Sequence, residues 1–182
     1  SLMQFKDNPE LNLKLNHIKD ATKELNKFIS SILEITKIES SNLELAKVNK
    51  DINPIIEGVL DELRFEASQK EIELEQELAP LYPVGVDITL FRRIVSNLVE
   101  NALKYSGTKT TVRVKTKKKK KWVYVEVEDN GVGISSDEIG HIFEKFYRVK
   151  NDASHSIKGS GLGLYLVKYF VELQGGEISA QS

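Results

Sequence analysis

Apolar positions between residues 11 and 40 recur in alternating steps of four and three, which is the spacing of a heptad seam. This pattern predicts one long amphipathic helix, and the polar residues 41–50 predict a linker after it. Because a helix with one apolar side needs a partner, that side packs either on the rest of this chain or in a bundle with a second chain. The seam consists of Leu11, Leu15, Ile18, Thr22, Leu25, Ile29, Ile32 and Thr36.

Three later segments also have helical spacing. Asn53 followed by Pro54 is typical of a helix N-terminus, and Asp87 is suited to cap another helix. The pair Gly175-Gly176 predicts the end of the last one. These predicted helices cover residues 54–70, 88–104 and 162–173.

Strand patterns separate the helices. Glutamates alternate with Ile72, Leu74 and Leu78, which predicts a half-buried strand. Five consecutive lysines, residues 117–121, connect two further strand patterns, where a solvated turn is favoured over a nucleic-acid or lipid surface. The predicted fold class is α+β, a two-layer sandwich in which helices cover one face of a mixed sheet. The predicted strands are Glu71–Leu78, Thr110–Thr116, Trp122–Glu128 and Glu177–Gln181, with one short helix near Asp137–Phe143.

Composition excludes several kinds of chemistry. The 182 residues have a formal net charge of −1, so the chain as a whole is not drawn to nucleic acid. The absence of cysteine excludes disulfides, thiolate metal sites and cysteine nucleophiles. Three scattered histidines do not form a zinc-binding pattern, and no apolar run reaches the roughly 20 residues of a membrane span. The opening Ser1-Leu2-Met3 is typical of a cloning scar.

The first cluster of candidate site residues lies on the predicted helix 88–104. Asn97, Asn101 and Lys104 are spaced i, i+4 and i+7 and therefore share one face. Amide oxygens suit magnesium, which commonly bridges to phosphate oxygens, and lysine suits phosphate as a point charge. By themselves, two asparagines and a lysine also fit an ordinary helix surface.

The second cluster follows a predicted strand directly. It begins at Asp129, a hydrogen-bond acceptor fixed at the strand end, and extends to Ile134. Gly131 and Gly133 let the backbone approach a ligand closely, although an ordinary Asn-Gly turn has the same pattern.

The third cluster opens the last predicted helix with Gly159, Gly161 and Gly163. Free N–H groups at a helix start form an anion site, and small residues expose them. The dinucleotide-binding pattern fails here, because its third glycine would fall on Leu164.

In this order and at these spacings, the three clusters resemble the N, G1 and G2 boxes of the sensor histidine kinases. That family shares a superfamily with type II topoisomerase, heat-shock chaperone and mismatch-repair ATPases. Residues 143–149 resemble its F box, and residues 25–45 resemble the end of its second dimerisation helix and linker. The resemblance implies a Bergerat ATP-binding domain over residues 46–182, with its last strand missing. It also implies a partial dimerisation and phosphotransfer helix over residues 11–45, whose first helix is absent.

The resemblance implies a role for each site residue. Asp129 would accept a hydrogen bond from the adenine amino group, and Asn101 would bind the Mg²⁺ of Mg-ATP with Asn97 beside it. Lys104 would contact phosphate, and Asn97 and Lys104 would be the catalytic residues. Tyr105 would lie near the base or ribose. The other implied nucleotide contacts are Gly131, Gly133 and Ile134 at the base, Gly159, Gly161, Leu162 and Gly163 at the phosphates, and Tyr147, Arg148 and Lys158 in a lid over residues 144–160.

Asn97 favours phosphoryl transfer over hydrolysis. In the related ATPases the residue four positions before the magnesium-binding asparagine is a glutamate that activates water, and an amide cannot take that proton. We therefore expect the catalytic region of a protein-histidine kinase. The alternatives are an ATPase or a nucleotide-binding scaffold of the same superfamily.

The family's acceptor box is missing from this sequence. His17 is followed by Ile18-Lys19-Asp20, without the arginine and proline of that box. We therefore expect the phosphate of ATP to pass to a histidine of the parent protein and then to a response regulator, with no nucleic-acid partner. We also expect a homodimeric parent and a cytoplasmic site of action, with any membrane anchor supplied by upstream segments.

Overall fold

The computed structural model describes residues 9–40, 45–149 and 159–182. The chain divides into two compact units, Ser1–Leu43 and Glu44–Ser182. The described part of the first unit is one helix, and the second unit contains the other helices and all the assigned strands. In chain order the elements are α1 (Pro9–Ser40), β1 (Lys47–Lys50), α2 (Asn53–Gln69), β2 (Glu73–Leu78), β3 (Val84–Asp87), α3 (Ile88–Tyr105), β4 (Thr111–Lys119), β5 (Trp122–Asp129) and α4 (Gly163–Leu173).

Helix α1 confirms the long helix predicted from the heptad seam. Several seam side chains remain largely in contact with water: Leu15 is 52% exposed, Ile18 61% and Leu25 56%. An apolar helix side that is this exposed in a single chain retains the capacity to pack on a second helix.

Strands β2, β4 and β5 form one mixed sheet in the order β2-β4-β5, parallel between the first two and antiparallel between the last two. Helix α2 contacts β2, α3 contacts β4 and β5, and α4 packs on α3. The predicted α+β sandwich of helices and mixed sheet is therefore confirmed.

The core lies between the helices and this sheet. On β4, Val112, Val114 and Thr116 are buried, whereas the intervening Arg113 and Lys115 lie on the other face, as the period of two along a strand requires. The helices contribute side chains that are at most 1% exposed: Ile56, Val59, Leu60, Val95, Val99 and Leu103 from α2 and α3, and Val167 and Phe170 from α4.

The outer face of the sheet carries cations on the central strand and carboxylates on its neighbours. Arg113 contacts Glu75 at 2.6 Å, and Lys115 contacts Glu128 at 2.9 Å. The hydrogen bond that Arg113 donates to Glu75 raises the pKa of Arg113, and the hydrogen bond that Glu128 accepts from Lys115 lowers the pKa of Glu128. Arg113 lies directly opposite Glu75, and Lys115 lies diagonal to Glu128. Opposite charges at such neighbouring positions stabilise this register.

A second, two-stranded sheet was not predicted. Strand β1 lies within the predicted linker and pairs antiparallel with β3. All four β1 residues are exposed, so no apolar alternation identified it, and pairing alone defines the strand. Asp87 at the end of β3 caps α3 as predicted, because its carboxylate accepts a hydrogen bond from the Leu90 N–H at 3.1 Å.

Asn53 is not the N-cap that the sequence predicts for α2. Ile52 occupies that position without a side-chain capping bond, and Asn53 is the first helical residue. The Asn53 amide donates to the carbonyl oxygen of Ala79 at 2.9 Å and accepts from the Thr116 hydroxyl at 3.1 Å. Pairing these part-buried polar groups of the sheet takes precedence over the local cap.

Two predicted elements are wrong. Residues 137–143 form successive turns, with bonds from the His141 N–H to the Glu138 carbonyl and from the Glu144 N–H to the His141 carbonyl. Gly140 interrupts the segment, and glycine weakens a helix interior.

The predicted last strand is the second of these elements. Residues 177–181 pair with no strand among the described residues. Alternating side chains cannot form a strand without a neighbour for the backbone groups.

The lysine run is a turn only in part. Lys117, Lys118 and Lys119 continue β4, and Lys119 pairs with Trp122, so the turn contains only Lys120 and Lys121. The φ of Lys120 is +55°, a left-handed conformation that two-residue hairpin turns require at their first position.

Candidate functional site

Two asparagines of α3 face the start of α4. Asn97 and Asn101 are half-buried and lie about one helical turn apart. A Cβ atom built on Gly163, the first residue of α4, would lie 3.3 Å from Asn97 Oδ1 and 3.6 Å from Asn101 Nδ2. The missing side chain at Gly163 therefore lets the first turn of α4 approach both amides.

The two amides differ in their hydrogen bonds. Asn97 Nδ2 donates to the Arg93 carbonyl at 2.9 Å, which fixes its orientation. Within the described part of the chain, the Asn101 amide has no hydrogen bond, so it remains available to a ligand. The described residues contain no group of three or more histidine, cysteine or carboxylate side chains that could hold a metal. A cation at Asn101 would therefore need phosphate oxygens and water as its other ligands.

Lys104 lies against the third cluster. Its Nζ is 5.2 Å from the centroid of the Tyr105 ring, and a Cβ atom at Gly159 would collide with the same Nζ. Nearby, Leu162 occupies the N-cap of α4 and is fully buried, without a side-chain capping bond to the helix. A lysine ammonium close to a helix N-terminus of this kind produces a positive environment suited to an anion.

Gly131 is tightly enclosed by the end of α3. A Cβ atom there would lie 2.6 Å from both Asp129 Oδ1 and the Tyr105 carbonyl oxygen. The Gly131 N–H donates to Asp129 Oδ1 at 2.9 Å, and Gly131 forms a β-bridge with Ser106. The first and second clusters therefore meet, with the carboxylate of Asp129 held by one of its oxygens.

Ser106 was not identified from the sequence. Its Oγ is buried and has no hydrogen-bond partner among the described residues. A buried polar atom without a partner costs about 1–3 kcal/mol, so a ligand or water that bonds to it would be favoured. A serine directly after a helix gives no sequence signal of such a role.

Gly161 and Phe146 interlock at the edge of the site. Both have left-handed backbones, with φ of +71° and +63°, and the Phe146 N–H donates to the Gly161 carbonyl at 3.0 Å. A Cβ atom at Gly161 would lie 2.7 Å from the Phe146 carbonyl carbon. The F-box segment therefore contacts the third cluster through backbone atoms, which no side-chain pattern could reveal.

The remaining residues of the second cluster contact the C-terminus. Gly133 has a φ of +70°, and a Cβ atom there would lie 3.2 Å from the Ser182 hydroxyl. That hydroxyl accepts a hydrogen bond from the Ile134 N–H at 2.8 Å. No described contact brings Gly133 or Ile134 to Asn101 or Gly163.

Tyr147, one of the predicted lid contacts, packs beside His141. The ring centroid of Tyr147 lies 5.6 Å from that of His141. Burial first, and then the charges of Glu138 and Glu144, raise the pKa of the Tyr147 phenol. Arg148 is exposed, and Lys158 lies outside the described residues.

A cleft of about 440 Å³ lies on the outer side of α4, where Lys145 Nζ stands 5.0 Å from the centroid of the Tyr165 ring. Its lining includes Phe143 and Tyr169 and none of the residues around Gly131 or Gly163. The candidate site is therefore defined by the convergence of the three clusters and not by this cleft.

The sequence profile of the histidine kinase-, DNA gyrase B- and HSP90-like ATPases matches residues 86–182, which is more than half of the chain. The chain belongs to this family. The match begins in β3 and includes α3, the loop after β5 and α4, so it contains all three clusters. The family resemblance inferred from the motifs is confirmed.

Two relatives by sequence are sensor proteins. A sensor histidine kinase, RppB of a Synechocystis species, is 28% identical over 176 residues, which is 96% of this chain and 38% of that protein. The sensor protein SrrB of Staphylococcus aureus is 24% identical over 177 residues, which is 95% of this chain and 30% of that protein. The chain thus spans about a third of their length.

Solved structures share the fold. A mycobacterial sensor histidine kinase, MprB, is 30% identical with a TM-score of 0.62 over 71% of this chain and 81% of that chain. Full-length ShkA in complex with AMPPNP is 24% identical with a TM-score of 0.80, over 96% of this chain and 36% of that chain. The histidine kinase ThkA in complex with the response regulator TrrA is 22% identical with a TM-score of 0.77, over 100% of this chain and 51% of that chain.

No helix among the described residues is long and apolar enough to span a membrane.

Proposed function

We propose that this chain binds Mg-ATP at the junction of α3, the loop after β5 and α4, and that it donates the γ-phosphate to a histidine of its parent protein. The observation that carries the proposal is the approach of Asn97 and Asn101 to the first residue of α4. This approach combines hard oxygen ligands with a helix N-terminus, the pairing that a magnesium-bound phosphate needs. Family membership and the sensor histidine kinases among its relatives support it.

The nucleoside end of the site is assigned to the second cluster. Asp129 accepts from the adenine amino group, because one oxygen already holds Gly131 and the carboxylate is otherwise exposed. A side chain at Gly131 would collide with Asp129 and the Tyr105 carbonyl. The Ser106 hydroxyl, which has no hydrogen-bond partner among the described residues, is close by. These residues fit an adenine ring with a bridging water. Tyr105 is adjacent, and Ile134 and Gly133 close the far side.

The phosphate end is assigned to α3 and the third cluster. Asn101 supplies an amide oxygen to Mg²⁺, and Lys104 neutralises phosphate charge beside Gly159. The N–H groups of Gly161 and Gly163 are assigned to the phosphate chain, and the Leu162 N–H, which donates to the Ser160 hydroxyl at 3.2 Å, joins them when a phosphate oxygen replaces that hydroxyl. Bound magnesium supplies charge neutralisation on the phosphate oxygens. Arg148, Lys158 and Tyr147 form the lid in this assignment.

Transfer rather than hydrolysis follows from Asn97. Its amide donates to the Arg93 carbonyl and presents Oδ1 towards Gly163, so it can orient a group but cannot accept a proton from water. An incoming imidazole nitrogen would form a bond to the γ-phosphorus while the bond from that phosphorus to the bridging oxygen breaks. ADP would leave with the electrons of the broken bond. Positioning and charge neutralisation supply most of what such a step needs.

The two units have separate roles in the proposal. Residues 11–45 dimerise through the exposed seam of α1, and residues 46–182 form the catalytic domain. The phosphate then passes to a response regulator, a partner supported by the complex of ThkA with TrrA. None of the three histidines lies in an acceptor box, so this chain does not phosphorylate itself.

Isothermal titration with ATP tests the binding site, with D129N as the variant and D137N as a control on an exposed turn. D129N is expected to weaken binding of ATP by about tenfold or more, as the loss of a charge-assisted bond implies. Unchanged affinity would remove the adenine assignment. Stoichiometric acid-labile phosphate on the purified chain would contradict the external acceptor.

A further inference from the structure

The β4–β5 hairpin extends beyond the three-stranded sheet. The last pair between β2 and β4 joins Leu78 to Thr116, whereas β4 and β5 continue for three more pairs to Lys119 and Trp122. Thr116 is also the last buried residue of β4. The end of the hairpin, residues 117–122, therefore projects into solvent as a two-stranded tip.

Positive charge is concentrated on this tip. Lys117 contacts Glu126 at 2.5 Å, but Lys118, Lys119 and Lys120 contact no carboxylate within the described part of the chain. Lys118 and Lys119 point to opposite faces because side chains alternate along a strand, and Lys120 lies in the turn. Ammonium groups therefore surround the tip, in a chain whose formal net charge is −1.

An aromatic side chain accompanies the lysines. Trp122 is 41% exposed, and Lys121 Nζ lies 5.6 Å from the centroid of its ring. Tyr124, the next aromatic residue on the same face, is 40% exposed. Tryptophan with lysine is the combination that favours the boundary between lipid headgroups and acyl chains.

We infer that the tip, residues 117–122, is a peripheral docking surface for an anionic lipid bilayer. Its shape supports this choice of partner. A projecting end presents several ammonium groups at once to a flat anionic surface, whereas an acidic peptide is bound best in a groove, which the tip lacks. The indole ring inserts among headgroups, while lysine ammonium groups remain hydrated and contact phosphate.

Docking in this way leaves the proposed nucleotide site open. Trp122 and Asp129 are at opposite ends of β5, and a strand of this length separates them by roughly 23 Å. Membrane contact at the tip is therefore compatible with nucleotide entry at Gly131, and changes at the tip should not alter the ATP affinity.

Tryptophan fluorescence provides a direct test, because Trp122 is the only tryptophan of the chain. The protein is titrated with vesicles of phosphatidylcholine alone and of phosphatidylcholine containing phosphatidylglycerol, and co-sedimentation measures the bound fraction. We expect a blue shift and binding only with the anionic vesicles, both lost at high salt. The triple variant K118Q/K119Q/K120Q is expected to bind roughly 100-fold more weakly, at about fivefold per lysine.

Two further variants test whether a loss of binding comes from the charge of the tip, from altered folding or from a change in net charge. K118R/K119R/K120R retains the cations and should retain binding. K19Q/K23Q/K50Q removes the same charge from other exposed positions and should also bind like the unmodified chain. Absence of binding to anionic vesicles, equal binding to neutral ones, or equal loss in the K19Q/K23Q/K50Q control would overturn the inference. Tighter binding to duplex DNA than to anionic vesicles at the same salt would overturn it in favour of nucleic acid.

Discussion

The backbone N–H of Asp87 donates a hydrogen bond of 2.8 Å to the side-chain oxygen of Gln174. Asp87 also caps α3 and accepts from the Ala46 N–H at 3.1 Å, while the Gln174 carbonyl accepts from Lys47 at 2.7 Å. These bonds connect β1, the start of α3 and the end of α4. The two helices that carry the site residues are thereby held at their ends remote from the site.

Replacing Gln174 with alanine should reduce the free energy of unfolding by about 1–3 kcal/mol, because it leaves the part-buried Asp87 N–H without its acceptor. Urea denaturation of Q174A measures the loss. Q181A, at an exposed position near the C-terminus, is the matched control and should change stability little. A Q174A midpoint equal to that of the control would show that water replaces the bond at no cost.

G131A should impair nucleotide binding more than folding. Its methyl group would meet the Tyr105 carbonyl and the Asp129 carboxylate at 2.6 Å, so the loop after β5 must shift away from α3. We expect ATP affinity to fall by about tenfold or more, since a displacement of about 1 Å is costly in such sites. G140A is the control, because a Cβ atom there has no neighbour within 4 Å. Equal ATP affinity for both variants would show that Gly131 does not shape the site.

N101A should make ATP binding insensitive to magnesium. In the proposed site this amide holds the metal, so the unmodified chain should bind ATP more tightly with Mg²⁺ than with a chelator. Titration of N101A should give the same affinity in both buffers. N26A on the exposed side of α1 should keep the magnesium dependence. If N101A also kept it, the metal would have to bind elsewhere.

K120G should stabilise the chain by about 0.5–1 kcal/mol, because glycine adopts the left-handed backbone of Lys120 without steric cost. Thermal unfolding detects the gain. K118G, inside β4, should be destabilising instead, since glycine weakens a strand interior. A lower melting temperature for K120G would indicate that the side chain, not its backbone, determines the turn.

The pair of Lys115 and Glu128 should stabilise the fold in a defined pH window. The pKa of Glu128 is lowered in the folded chain, so its contribution is present above the ordinary value of 4.5 and is lost as the pH falls through the folded value. The pKa of Lys115 is raised from 10.5, so its contribution is present below that value and is lost at higher pH. E128Q should lower the melting temperature slightly at pH 7, and this difference should shrink as the pH falls below 4.5. A difference that persists in acid would contradict the ion pair as its cause.

The helices and the sheet could be predicted from apolar spacing because their buried residues face one another. Val112, Val114 and Thr116 alternate with charged residues, and α3 follows a local cap at Asp87. Strand β1 escaped prediction, because its side chains are all exposed and only the pairing with β3 defines it. The strand predicted over residues 177–181 is wrong for the converse reason. These residues have a strand pattern but no paired neighbour among the described residues.

Motif spacing identified the residues of the candidate site, but not how they meet. The proximity of Asn97 to Gly163 depends on packing between α3 and α4, and the contact of Phe146 with Gly161 is made by backbone atoms. The Ser106 hydroxyl is buried and has no hydrogen-bond partner in the described part of the chain, and its place after a helix does not reveal this burial. Sequence therefore predicts the chemical groups of this site, and packing determines their contacts.

The contact between Phe146 and Gly161 also determines how evolution can alter the chain between them. Because the Phe146 N–H is bonded to the Gly161 carbonyl, the chain between these two residues begins and ends at nearly the same place. Because the free energy of closing a loop depends only weakly on its length, a change in the number of residues between them would leave Gly161 and Gly163 in place.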